Sequence, residues 1–263
     1  MHRRQVTGYK PQAGEEAFPM NATELFKAGK LSEAVQALSA ELRDHPTDAK
    51  RRTFLFELLC FTGDFDRAEK HLQVLSEGGP STEMGALLYR GVLAAERARQ
   101  ETFLKREYTS TTADLLPFTG TLNGQPFESL SDADSRVGAR LETFAAGTYL
   151  WIPLAHIASI EIAAPRRLRD LLWLPAMVRT GPGFKGTELG EVLIPVLSPL
   201  SWRHSDDQVR LGHATVWEES EEGEEVPFGQ KMLMVDGEEI PLLEVRSVRI
   251  NAQPQAAAAE GVE

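Results

Sequence analysis

Cysteine is almost absent: Cys60 stands alone, so no disulfide can form within the chain. It lies in the run Phe54, Leu55, Phe56, Leu58, Leu59, Cys60, Phe61 and reads as a small buried hydrophobe. Long apolar runs are missing too. No stretch approaches the roughly 20 apolar residues that span a bilayer, and none follows the basic start His2, Arg3, Arg4. Neither an anchor nor a secretory signal is expected, and a cytoplasmic location is. Positive charge is short, with 28 basic against 39 acidic side chains, and the net charge of -11 disfavours nucleic acid as a partner. The signatures of common chemistry are missing as well. No HExxH or CxxC spacing accompanies His204, Asp206, Asp207 and His213, so no metal is expected. Gly181 to Thr187 lacks the order of a phosphate loop and reads as an inter-strand loop, and no serine sits in a GxSxG elbow.

What is present is a 34-residue echo. Leu25, Gly29, Ala34, Leu38 and Pro46 recur as Leu59, Gly63, Ala68, Leu72 and Pro80. Glycine closes a first short helix, alanine stands where two helices touch, and proline ends the second, which is the pattern of a tetratricopeptide repeat. Helix pairs of this kind bind other proteins. Asn21 is the expected N-cap of the first helix and Ser32 of the second, with Val35, Leu38 and Leu42 at helical spacing. The next pair is expected over 48–62 and 65–76, and a longer helix over 81–107. On that helix Leu87, Leu88, Val92 and Ala95 form one side, and Glu96, Arg97, Arg99 and Gln100 the other. Two and a half repeats fall short of the about three that bury a solenoid core, so the helices must lean on the rest of the chain.

From about Phe118 the period changes. Asn123-Gly124 and Asp236-Gly237 mark hairpin turns. A short helix is expected over 136–144, and strands over 148–152, 157–162, 171–178, 191–197, 209–217, 231–235 and 240–250. Glu218 to Glu225, six Glu in eight residues, reads as a solvated loop. The fold class expected is α+β in two domains: residues 1–19 a disordered leader, with Met20 an alternative start; 20–110 tetratricopeptide-like helices; 115–250 a mostly antiparallel α+β domain; and 251–263 a disordered tail.

Several blocks carry a family resemblance. Asn123-Gly124-Gln125-Pro126-Phe127, Asp132-Ala133-Asp134-Ser135-Arg136, Tyr149-Leu150-Trp151-Ile152-Pro153 and Leu168 to Ala176 resemble, in order and spacing, the signature blocks of the ImpE (TagJ) family, across roughly residues 21 to 250. The stretch between Glu107 and Phe118 is shorter than the family pattern, and the start is longer. The resemblance implies an accessory protein of the bacterial type VI secretion system. Its implied partner is a helical segment of the small sheath subunit (TssB), with a bearing on sheath handling near the recycling ATPase (ClpV).

Each candidate site has two readings. The first helices of the repeats line a concave face, so Lys50, Thr53, Phe54, Glu57 and Phe61, with Met84 and Leu87 from the following helix, are the groove candidates for an amphipathic partner helix. Phe54 and Leu87 could instead be core. Glu57 argues against capture of a C-terminal carboxylate, as a general co-chaperone would require. Asp132 and Asp134 beside Arg136 could be paired carboxylates of a metal-dependent hydrolase, or could cap the following helix. Trp151 and Trp173 read as core aromatics joining the two domains, with Arg169 and Asp170 as the hydrogen-bonded edge of that core. No catalytic residue, metal or cofactor is assigned. The expectation is a non-enzymatic adaptor.

Overall fold

The structure, a computed structural model, describes residues 20–108, 118–181, 184, 186, 188–220 and 223–251. The expected leader, most of the tail and the linker at 109–117 lie outside these residues, as do parts of the 181–187 and 218–225 loops.

The helical half runs α1 Ala22–Lys27, α2 Leu31–Asp44, α3 Ala49–Phe61, α4 Phe65–Ser76 and α5 Pro80–Lys105, each packed on the next. Local chemistry starts them. The Asn21 side chain accepts the Glu24 N–H while Glu24 reaches back to the Asn21 N–H, and Asp48 and Asp64 cap α3 and α4. The echo is structural. Ala34 and Ala68 are fully buried at the contacts between helices, Leu38 and Leu72 share the core, and Gly29 and Gly63 both take φ near +70° after the first helix of each pair. Two details differ from expectation. The second helix begins at Leu31, with Lys30 at its cap, and Asp207 from the other half of the chain accepts the Ser32 N–H at 2.8 Å. Pro80 opens α5 rather than closing α4, which ends at Ser76; its missing N–H costs nothing in a first helical turn.

The second half holds β1 Thr119–Leu122, β2 Gln125–Phe127, β3 Leu130–Asp132, β4 Arg140–Ala145, β5 Thr148–Pro153, β6 Ile157–Ile162, β7 Trp173–Thr180, β8 Gly190–Pro195, α6 Asp207–Arg210, β9 Thr215–Glu219, β10 Glu225–Gly229, β11 Met232–Val235, β12 Glu238–Pro241 and β13 Ser247–Asn251. Eight strands form one antiparallel sheet in the order β2-β1-β13-β6-β7-β8-β4-β5. β12, β11 and β3 form a smaller sheet, and β9 and β10 a hairpin flanking the acidic run. Along β7 the side chains of Leu174, Ala176 and Val178 enter the core of this half. Trp173, Pro175 and Met177 alternate onto the opposite face. There Trp173 and Phe144 join the core of the repeats.

Three expected elements are corrected. Residues 136–139 form a turn and 140–145 a strand, not a helix: Asp132 and Asp134 hold the turn, and β4 is buried from Arg140 to Phe144, as a central strand must be. The strand expected at 209–217 is the short α6 followed by β9, because Asp206 caps a helical turn and Gly212 reverses the chain with φ +71°. The run 240–250 is broken by a 3-10 turn at Leu242–Glu244 into the end of β12 and β13. Among the described residues no helix is long and apolar enough to cross a membrane.

Candidate functional site

Val92, the adjacent pair Ala95 and Glu96, Arg99 and Phe103 recur at three- and four-residue steps, so they share one face of α5, and all are buried. The reading that set Glu96, Arg99 and Gln100 on the side of α5 opposite Val92 and Ala95 is therefore corrected: all five are buried, and the polar three continue the apolar stripe into the second half of the chain. Arg99 donates to both oxygens of Glu142 on β4, at 2.8 and 3.1 Å, and to the Leu197 carbonyl at 2.9 Å. Lys231 bridges Glu142, at 2.5 Å, to Asp132. Glu96 accepts from Arg99, Gln100 and the Trp173 indole, the last at 2.8 Å. Tyr149 donates to Glu142 at 2.5 Å and accepts from the Trp151 indole. One polar network thus ties α5 to β3, β4, β5, β7 and the start of β11.

The cluster holds three carboxylates, Glu96, Glu142 and Asp132, against two cations, Arg99 and Lys231. Burial alone would raise the Glu142 carboxyl, but Arg99 and Lys231 outweigh it and hold it well below the usual range. Asp132, at the end of β3 and sharing Lys231 with Glu142, is pushed up to about 6 by burial and by the nearby Glu142 and Asp134 charges. Asp134 is gripped by Arg136 through two hydrogen bonds of 2.8 and 2.7 Å. Neither carboxylate caps a helix. Asp132 accepts the Asp134 N–H and Asp134 the Arg136 N–H, closing the turn before β4. Trp151 lies under the Arg140 guanidinium, 3.9 Å from the ring centroid, and beside Phe103. The network residues Glu96, Arg99, Gln100, Glu142, Tyr149 and Lys231 were missed in sequence; the stripe on α5 was the one signal available for the first three.

The groove candidates separate. Lys50 is exposed, Thr53 is half-buried with its hydroxyl on the Ala49 carbonyl, and Phe54 packs edge-on to Phe26. Phe61 is only 1% exposed and Glu57 only 8%, and both are engaged within the chain. The segment Leu168–Leu171, a 3-10 turn, packs with Leu172 and Trp173 against α3 and α5: Arg169 stacks over Tyr89 at 4.9 Å and faces Glu57 at 3.9 Å. Asp170 fixes that turn by accepting the Arg166 and Arg167 N–H groups. The chain's own segment fills this part of the concave face, so Glu57 and Phe61 are corrected from partner contacts to interior ones.

Met84 and Leu87 are 68% and 61% exposed, with Leu88 at 59% beside them. They form one wall of a cleft of about 1460 Å³ between α5 and the outer face of the large sheet, whose other wall carries Pro175, Met177 and Leu193. Gly91 meets Gly147 in its lining, where an added Cβ on either would lie 3.2 Å from the opposite backbone.

Comparisons with known proteins fit this architecture. Residues 25–90 match the tetratricopeptide repeat and residues 124–249 match the family described as ImpE protein. The type VI secretion system accessory component TagJ of Pseudomonas aeruginosa is 31% identical over 264 residues, covering 87% of this chain and 90% of that protein. The chain belongs to the ImpE family. A crystal structure of a Vibrio parahaemolyticus protein shares the fold, with a TM-score of 0.76 at 22% identity, over 88% of this chain and 98% of the other. In this ImpE chain Asp132, Asp134, Arg136, Trp151, Arg169, Asp170 and Trp173 all sit where the sheet half meets the repeats or in the turns that shape that contact. His204, Asp206, Asp207 and His213 are tied to Glu218, the α6 cap, Ser32 and Gln208 respectively. Among the described residues no group of three or more His, Cys, Asp or Glu is arranged to hold a metal ion.

Proposed function

We propose that this ImpE-family protein is a non-enzymatic, cytoplasmic adaptor of a type VI secretion system. Its helical repeats take a helical segment of the small sheath subunit, and through that contact it bears on sheath assembly or on recycling by the associated ATPase. The observation that carries the reading is the exposed apolar stripe Met84, Leu87 and Leu88 on the last repeat helix, because a stripe of this size left uncovered marks a contact surface. The name of the Pseudomonas aeruginosa relative supports the system, and the match to tetratricopeptide repeats supports a protein partner. Against the hydrolase alternative, Asp132 is paired with Lys231 and Asp134 with Arg136.

Titration of the full-length protein into a labelled N-terminal helical segment of the small sheath subunit from the same organism tests this. Saturable binding, weakened at least tenfold by Leu87→Glu, is expected. A folded wild-type protein that fails to bind the segment would detach it from the sheath.

A further inference from the structure

We infer that the outer edge of β9 is a docking site at which an extended basic segment of a partner protein adds as a third strand to the β9–β10 hairpin; this contact lies apart from the repeats and does not depend on the adaptor reading. The hydrogen-bond alternation of the hairpin shows which groups face outward. Ser220 donates to the Glu224 carbonyl at 2.8 Å, so these two form a hydrogen-bonded pair, and by the alternation of an antiparallel ladder so do Glu218 with Val226 and Val216 with Phe228. The pairs between them, Thr215 with Gly229, Trp217 with Pro227 and Glu219 with Glu225, turn their backbone groups away from the partner strand. On β10 the first two are closed: the Gly229 N–H goes to the Ser201 hydroxyl, its carbonyl accepts from Ser198, and Pro227 has no N–H. On β9 the outward N–H and C=O groups of Thr215, Trp217 and Glu219 have no partner among the described residues.

The other edges are closed, and mostly by one device. β2, β5, β10 and β12 each carry a proline in a non-hydrogen-bonded pair, Pro126, Pro153, Pro227 and Pro241, so the missing N–H falls on the outer edge. β3, the remaining edge of the small sheet, gives its Asp132 N–H to the Gly138 carbonyl. β9 has neither proline nor cover. Its register with β10 is unbroken over five residues, and β10 is its one substantial neighbour among the described elements, whereas β10 also packs on α6 and on the 3-10 turn at 201–203. An open edge of this kind receives an extended segment through main-chain hydrogen bonds, and a hairpin of two strands is marginal until a third joins it.

Charge specifies the occupant. Glu218 and Glu219 are exposed and adjacent in a strand, so one stands on each face of the edge, with Glu224 and Glu225 at the same end of the hairpin. Cations near them in the chain are few. Arg210 is held by Asp207 and Ser32, Lys231 is buried on Asp132 and Glu142, and His204 meets Glu218 at 3.2 Å, which leaves the exposed Arg203 against four carboxylates. A second copy of this chain would bring the same Glu pair and its own charge of -11, so it is the wrong occupant. An added strand sets its side chains directly beside those of β9. Two adjacent basic residues therefore meet Glu218 and Glu219, one on each face, and an apolar side chain meets the half-buried Trp217 ring.

The test uses the full-length protein and three fluorescent eight-residue peptides: a Val/Thr peptide with an adjacent Lys-Arg pair, the same peptide N-methylated at every residue, and a version with Glu in place of Lys and Arg. Methylation keeps the charge and removes every backbone donor. The Lys-Arg peptide should bind saturably and the other two at least tenfold more weakly. Trp217→Pro, which gives β9 the proline that closes the other edges, should weaken binding at least tenfold beyond Trp217→Val, which keeps the N–H. Glu218→Gln/Glu219→Gln should weaken it at least fivefold, while Leu87→Glu on α5 leaves it unchanged. Amide hydrogen exchange reads the same edge: in the free protein Trp217 and Glu219 should exchange faster than Val216 and Glu218, and the bound peptide should slow the first two. Equal binding of the methylated peptide would reduce the contact to charge alone and overturn the inference. So would binding that ignores Trp217→Pro, no binding of the Lys-Arg peptide, or a dimer of the free protein that Trp217→Pro abolishes.

Discussion

Asp132 carries the least comfortable charge in the molecule. It is buried, it shares Lys231 with Glu142, and the cluster already holds one carboxylate more than it has cations. Its pKa of about 6 lies above the ordinary 3.8, so the folded state keeps a proton that the unfolded chain releases earlier. The stability linked to this group is fully present below about pH 4 and is lost as pH rises through 6, by up to about 3 kcal/mol at 1.36 kcal/mol per unit. Glu142 acts in the opposite sense. Its lowered pKa gives stability that is complete above its ordinary 4.5 and fades as pH falls below. Asp132→Asn isolates the first effect, since Asn can still accept from Lys231 and from the Asp134 N–H. Denaturant unfolding from pH 4 to pH 7 should show the variant gaining on the wild type as pH rises, with the change complete shortly above pH 6. A constant difference across that range would mean that Asp132 is ionised throughout and that Lys231 alone satisfies it.

At the scale of elements, the joints are set by glycines that differ in what surrounds them. Gly63 ends α3 at φ +71°, and a Cβ there would lie 2.5 Å from the Trp202 ring. Gly124, in the β1–β2 turn at φ +83°, has nothing within 4 Å. Gly124→Ala should therefore cost only the left-handed backbone, about 1 kcal/mol, whereas Gly63→Ala adds a clash with a large ring and should cost about 2–4 kcal/mol. Equal losses in denaturant unfolding would show that Trp202 moves aside freely. Elements of this local kind were legible in sequence: the repeat glycines, the Asn21 cap and the Asn123-Gly124 and Asp236-Gly237 turns each act within a few residues. The helix misread over 136–144 depended on distant partners. Residues 136–144 have helical spacing at Val137, Leu141 and Phe144, but Leu141 to Ala145 pair with β5, and Phe144 also pairs with Leu193 on β8. The α5 stripe was visible as a pattern and its meaning was not, because Arg99 meets Glu142 43 residues away and Lys231 reaches Glu142 across 89. The concave face failed for the same reason. Nothing near Glu57 or Phe61 announces that residues 168–173 will cover them.

For the molecule as a whole, that covering removes the independence usually expected of a repeat array. The core of the repeats includes Phe144, Leu172, Trp173 and Leu211 from the second half, and Arg99 and Glu96 of α5 are bonded to Glu142 on β4, the Leu197 carbonyl and Trp173 on β7. Cut away from those partners, the repeats would expose Phe61, Leu93 and Trp173's docking site to water and leave a buried-face arginine without its carboxylate. Removing one partner of a buried pair costs about 3–5 kcal/mol, a large part of the 5–15 kcal/mol that holds a typical domain. Two and a half repeats also lie below the about three that sustain a solenoid. A fragment of residues 20–108 should therefore lack a cooperative thermal transition by near-ultraviolet circular dichroism, while the full chain unfolds in one. A fragment that melts cooperatively near the temperature of the full chain would make the sheet half a passenger. If the fragment instead stays loose, Arg99, Glu142 and Trp173 hold α5 against the sheet, which is the condition for the cleft between them to exist.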